Sequence, residues 1–302
     1  MKTPESRVDR QSVRSRSWGC RLSMAAAVGL FAFFAAASGS AQNLEFIRSA
    51  ILSGNTENKR NALDQIRNIH TETASRIALP ALSDADELVR STAASAVVFL
   101  PKSEAANALR PLLNDKAEFV RSEAALAIGR VGDKSASVSL VHALQQDSSI
   151  PVRSAAAFAL GELGDPVAVE ALVSILKKRP SPRDEFLRRS IARSIGQIAQ
   201  IIGTGKVRVD TPQNFLPEKY KEKASSKSVT VAFPVFYLAV AALTDVLRNQ
   251  KETDDTHREA AFALGAIGDR SSAEVLRSYL NSPDNYLAEI CREALLKINQ
   301  TQ

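Results

Sequence analysis

The stretch VRSAAAFALGELGD, residues 152–165, decides the fold, because the chain states it more than once. VRSEAALAIGRVGD occupies residues 120–133 and THREAAFALGAIGD residues 256–269. With Arg153 as position zero, small residues follow at +3, +4 and +6, an aliphatic at +7 and glycine at +8. The same frame fits Arg90, Arg121 and His257 closely, and Lys59, Arg188 and Cys291 more loosely. Successive anchors lie 31, 31, 32, 35, 69 and 34 residues apart, so one period runs through the chain and the longest spacing is a repeat carrying an insertion.

At 100° per residue, positions 0, +3, +4 and +7 share one helical face, with +6 on its flank. Alanine there favours the helix and lets a neighbouring helix approach closely. Between anchors runs a second helical pattern, seen in Leu109, Leu112 and Leu113, in Leu140, Val141 and Leu144, and in Leu172, Ile175 and Leu176. Each unit therefore reads as an antiparallel helix pair. Gly132, Gly164 and Gly268, each followed by Asp, suit a left-handed residue that ends the second helix and opens a turn. About seven pairs fit between Asn43 and Asn299. One pair cannot bury its apolar face alone but a stack can, which predicts an all-α solenoid with a continuous core.

The formal charge of +6 divides unevenly. Residues 1–41 carry six basic and two acidic groups, so the remainder, with 33 basic and 31 acidic groups, is only +2. That removes most of the case for a phosphate-binding surface, and no nucleic-acid partner is expected. The first 41 residues have the form of a secretory signal: a basic stretch, an apolar run from Ser23 to Ala37, and small residues around Ala41. The run is shorter than the roughly 20 residues of a bilayer span. Cleavage is expected after Ala41, giving an exported, periplasmic or secreted chain with no membrane span after cleavage; the alternative is an uncleaved N-terminal anchor. Only Cys291 then remains, and a lone thiol on the last helix reads as a small apolar packing residue.

The pattern D-x-x-V-R-x-x-A-A-x-A-x-G-x-x-G-D, present with small spacing differences from Asp147 to Asp165, resembles the short HEAT-like repeats named after phycobilisome lyases. The resemblance implies a right-handed α-solenoid whose second helices line the concave surface. It also implies that repeat arginines and acidic turn residues such as Glu118 or Asp147 make structural contacts between repeats. Domain boundaries follow as a leader over 1–41, five pairs over 42–201, an irregular insertion over 202–234 and two pairs over 235–302.

The same resemblance brings two enzymatic associations, giving a competing reading as an enzyme or accessory subunit related to HEAT-like lyases or oxidoreductases. Deoxyhypusine hydroxylases bind two irons through His-Glu dipeptides on successive helices. Here the three histidines are His70, His142 and His257, and none is followed directly by Glu. Bilin lyases act on cytoplasmic phycobiliproteins, which an exported chain would not meet. No G-x-S-x-G elbow, phosphate loop or dinucleotide turn is present. No catalytic residue, cofactor or metal is expected, and the preferred reading is a scaffold for a protein or peptide partner.

Positions +1, +2, +5 and +9 point away from the packed side. At +5, where such repeats are commonly charged, the chain has Leu126, Phe158, Arg193, Phe262 and Leu296. These five are either contacts on an open inner surface or side chains packed against adjacent helices. The insertion supplies a second candidate surface in Phe215, Lys219, Tyr220, Lys221 and Lys223. Residues 203–233 hold six basic and three acidic groups, so the rest of the mature chain is −1, and long irregular loops in compact proteins are often functional.

Overall fold

A computed structural model describes residues 42–205 and 228–300. Its described residues form seven helix pairs. The first helices are α1 (42–53), α3 (Glu72–Ala78), α5 (Lys102–Leu109), α7 (Ser137–Gln146), α9 (Val169–Leu176), α12 (Val235–Arg248) and α14 (Ala273–Ser278). Their partners are α2 (Thr56–Ile69), α4 (Glu87–Ala96), α6 (Glu118–Val131), α8 (Ile150–Leu163), α10 (Glu185–Thr204), α13 (Asp254–Ile267) and α15 (Asn285–Gln300). A single helical turn, α11 (Val229–Ala232), precedes α12. Two first helices tighten into 3₁₀ turns at Leu79–Ser83 and Arg110–Asn114, where Pro80 and Pro111 remove a backbone donor.

The alanine-and-glycine face does what its composition allows. Successive second helices pack along one another, and the first helices form the other, more loosely contacting layer. A Cβ placed on Gly129 would stand 2.9 Å from Ala159 Cα, and one on Gly196 would stand 2.9 Å from Ala263 Cα. Glycine at +8 is thus the hole into which the +6 residue of the next second helix fits. The layer of second helices makes the closer contacts of the two. Around it runs one continuous core, from Ile47 to Ile298.

Helix ends follow local chemistry. Gly132, Gly164 and Gly268 adopt φ of 73°, 62° and 73°, and the aspartate after each caps the next 3₁₀ turn by accepting from the N–H two residues on. Asp254 and Asp255 lie in the first turn of α13, where they favour its dipole, and the capping side chain is Thr253. Cys291 is fully buried, and burial pushes its thiol up to about 12.

Neighbouring repeats are tied by an ionic ladder. Lys59 reaches Asp84 at 2.6 Å, Arg90 reaches Asp115 at 2.6 Å, Arg121 reaches Asp147 at 2.7 Å, and Arg258 reaches Asp284 at 2.8 Å. Each basic group sits on one second helix, and each aspartate sits just before the next. Arg153 breaks the series and donates to Leu144 O in its own repeat. Glu118 is exposed at the start of α6 and has no place in the ladder.

These aspartates predict an acid transition. The hydrogen bond from Arg90 holds the Asp115 carboxyl below its ordinary range. For Asp84, Asp147 and Asp284 burial is the largest single effect and pushes upward. Their hydrogen bonds and neighbouring cations together outweigh it, and each also ends below the ordinary range. A folded value below the unfolded one, about 3.9, gives stability that is complete above that pH and drains away as pH falls through the lowered folded values. Urea midpoints should therefore be flat from neutral pH to about 5 and fall below about 4. A pH-independent midpoint down to about 2 would refute the ladder's contribution.

The insertion does not interrupt the stack. α10 packs directly on α13, and Arg188 on α10 meets Glu252, in the turn before α13, in a pair with both side chains buried. Arg188 Nε donates to the Glu252 carboxylate at 2.9 and 3.0 Å, and its other nitrogens donate to the carbonyls of Leu176 and Lys178. The helix expected to end at residue 201 runs on to Thr204. On the far side, Ser228 Oγ donates to Ile267 O, while Val229 and Phe236 are buried, so the chain re-enters the stack firmly docked.

Candidate binding surface

The second helices present a face that no neighbour covers completely. It contains positions −2, +2, +5 and +9, which recur within one or two turns of one another. At +5 the structure separates residues that the repeat frame treats alike. Leu126 and Phe158 are half-buried. Leu296 is exposed, on the terminal helix α15. Arg193 is exposed but engaged, donating to Glu259 at 3.0 Å.

Phe262 is a correction to the open-surface expectation. It is 7% exposed, and its ring lies over Gly196, where a Cβ would come within 2.6 Å of it. A glycine on the preceding helix gives the ring a seat between helices, so Phe262 belongs to the core. The insertion candidates Phe215, Lys219, Tyr220, Lys221 and Lys223 lie outside the described residues.

The structure adds residues that attention to +5 alone missed. Leu88 on α4, Phe119 on α6 and Phe186 on α10 stand at −2 and are exposed, Phe186 at 57%. Pro151 takes the same place on α8 and is also exposed. Position −2 is two turns before +5 on the same face, so the repeat frame carried the signal. With Leu126 and Phe158 these side chains make an apolar row across α4, α6, α8 and α10.

Beyond α10 the face becomes ionic. Arg189 pairs with Asp255 at 2.7 Å, and Asp255 also pairs with Arg258. Burial lifts the Glu259 carboxyl above its ordinary range, with the Arg193 charge pulling the other way. The Arg189 guanidinium lies 5.1 Å from the centre of the Phe186 ring, which marks the boundary between the apolar and ionic halves.

His70 lies against Phe99, with ring centres 4.8 Å apart, and His257 Nε2 meets Asn249 O at 3.2 Å, in a distant repeat. Among the described residues no three His, Cys, Asp or Glu side chains stand close enough to hold a metal ion. No helix among them is long and apolar enough to cross a membrane.

Comparison with known proteins gives the same architecture. A family model described as HEAT repeats matches residues 41–129, 77–150 and 138–204, and one described as a PBS lyase HEAT-like repeat matches residues 257–282. Over 64 residues the chain is 38% identical to deoxyhypusine hydroxylase of Bos taurus and 36% identical to that of Homo sapiens. It spans only 21% of the length of each of these relatives, and the matched segment is 21% of this chain. The crystal structure of an engineered protein superposes with a TM-score of 0.52 at 20% identity, covering 86% of this chain and 69% of that one.

Proposed function

This chain belongs to the HEAT-repeat family, and from that premise we propose that it is an exported, non-catalytic scaffold that holds a protein or peptide partner on the inner face of its solenoid. The observation that carries the reading is the row of Leu88, Phe119, Leu126, Phe158 and Phe186, large apolar side chains left open or half-open on one helix face. A contiguous apolar patch rimmed by charge marks an interaction surface, and aromatic anchors carry most of the affinity in such contacts. The hydroxylase likeness supports no di-iron chemistry here, because it covers about a fifth of either chain and no histidine is followed by glutamate.

Export rests on the basic, apolar and small-residue pattern of residues 1–41. Purified protein from the envelope fraction should begin at Gln42. The surface is tested by the double substitution Phe119→Glu/Phe158→Glu. Both side chains are partly exposed, so helicity should be retained with a stability loss of about 1 kcal/mol, while a partner captured by the wild type should be lost. Unchanged capture would refute the surface. Deleting residues 203–233 in parallel reads whether the insertion contributes.

A further inference from the structure

The apolar side chains of the second helices form a band with two rims. Phe119 and Leu126 on α6, like Pro151 and Phe158 on α8, stand seven residues apart, which at 1.5 Å per residue separates the rims by about 10 Å. Between them, at +2, lie the small residues Thr92, Ala155 and Ser190. The hydroxyls of Thr92 and Ser190 donate to Leu88 O and Phe186 O of their own helices, each at 2.8 Å, so they demand no partner from an apolar guest. Glu123 takes +2 on α6 and is held by Arg130, two turns further along the helix. Across α4, α6, α8 and α10, with helices packed about 8–10 Å apart, the band runs for about 24–30 Å.

A charge pattern accompanies one rim. Glu87, Glu118 and Glu185 directly precede Leu88, Phe119 and Phe186, and all six are exposed. Each glutamate is the first residue of its helix, where an acid favours the dipole. That accounts for the acid, not for the open leucine or phenylalanine beside it. The arginines three residues on, Arg90, Arg121 and Arg188, are committed to Asp115, Asp147 and Glu252, so they do not neutralise this row. The exposed bases of the same edge are Lys116 and Arg183; with half-buried Asp86, Asp184 and Arg153 counted, five acids stand against three bases outside the named pairs.

Width and charge together select an occupant. A band about 10 Å across matches the diameter of an α-helix and is about twice the spacing of neighbouring strands. One step between second helices, about 8–10 Å, is close to the roughly 10.5 Å that seven residues of a helix span. The geometry points to an amphipathic helix of the partner, about 18 residues long, laid across α4, α6, α8 and α10. Its leucine-rich stripe lies on the band, and lysines or arginines along one flank meet Glu87, Glu118 and Glu185. The same acids disfavour an acidic peptide or an anionic lipid surface. The inference rests on the surface of the proposed function and specifies its partner.

The test is fluorescence anisotropy of the purified protein with three labelled peptides of about 18 residues. One has leucine at i, i+3, i+4 and i+7 with lysine elsewhere; the second replaces lysine by glutamate; the third scrambles the first so that no stripe remains. The striped lysine peptide should bind most tightly and gain helicity on binding, read by circular dichroism. Glu87→Gln/Glu118→Gln/Glu185→Gln should weaken it at least about tenfold. Glu170→Gln/Glu274→Gln, exposed acids of the first helices α9 and α14, should leave it unchanged. The ranking of peptides on the wild type needs no variant, and melting curves check that the variants are folded. Equal binding of the three peptides, binding indifferent to the triple substitution, or no binding at all would overturn the inference. If binding survives Phe119→Ser/Phe158→Ser, which removes apolar contact without adding charge, the proposed surface itself fails. If it is lost there but is indifferent to charge or to the stripe, only the specified partner fails.

Discussion

Glu252→Ala should cost the fold about 3–5 kcal/mol, the largest effect of any single ionic deletion in this chain. Arg188 and Glu252 have side chains only 4% and 3% exposed, and removing the acid leaves a guanidinium buried without its counter-charge. For a chain of this size the loss corresponds to a melting-point drop of roughly 10 °C, measurable by circular dichroism. The position explains the cost. Arg188 joins the end of α9, through the carbonyls of Leu176 and Lys178, to the turn before α13, and so closes the stack across the insertion. Arg188→Met/Glu252→Met should recover only part of the loss, because those two carbonyls lose their donors as well. A Glu252→Ala variant within about 1 kcal/mol of wild type would show that the pair is not structural.

Phe262→Ala should cost about 3–5 kcal/mol, as for a buried aromatic whose cavity cannot collapse. The ring fills the space over Gly196 between α10 and α13, and rigid helix backbones on both sides resist closure. Phe158→Ala, at the same repeat position but half-buried, should cost about 1 kcal/mol. Urea denaturation of the two variants side by side checks the contrast. Equal costs would mean that Phe158 is also part of the core and that the apolar row is shorter than described. Phe262→Glu is consequently expected to unfold the protein, and it cannot report on binding.

The repeat period and the alanine face were legible because they are local and recur. A residue at +3, +4 or +8 meets a backbone whatever the details of its neighbour, so Ala124, Ala125 and Gly129 are buried as the frame requires. The same holds for Gly132, Gly164 and Gly268, whose left-handed backbone follows from where each helix must stop. Exposure at +5 was not legible. At Gly129 the approaching atoms belong to Ala159, and at Gly196 they belong to Phe262, so a small change in how two helices cross decides whether a phenylalanine is seated or left open. The partner of Arg188 was equally out of reach, since Glu252 lies 64 residues along the chain, beyond the insertion.

The chain alone specifies a stack of helix pairs, the faces that pack, and where the long insertion leaves the repeat, because those properties depend on periods of 3.6 and about 32 residues that are written in the chain. Packing between repeats settles which side chains on the second-helix face remain open and that Phe262 is core. Those outcomes depend on distances between helices from different repeats, which no single repeat encodes.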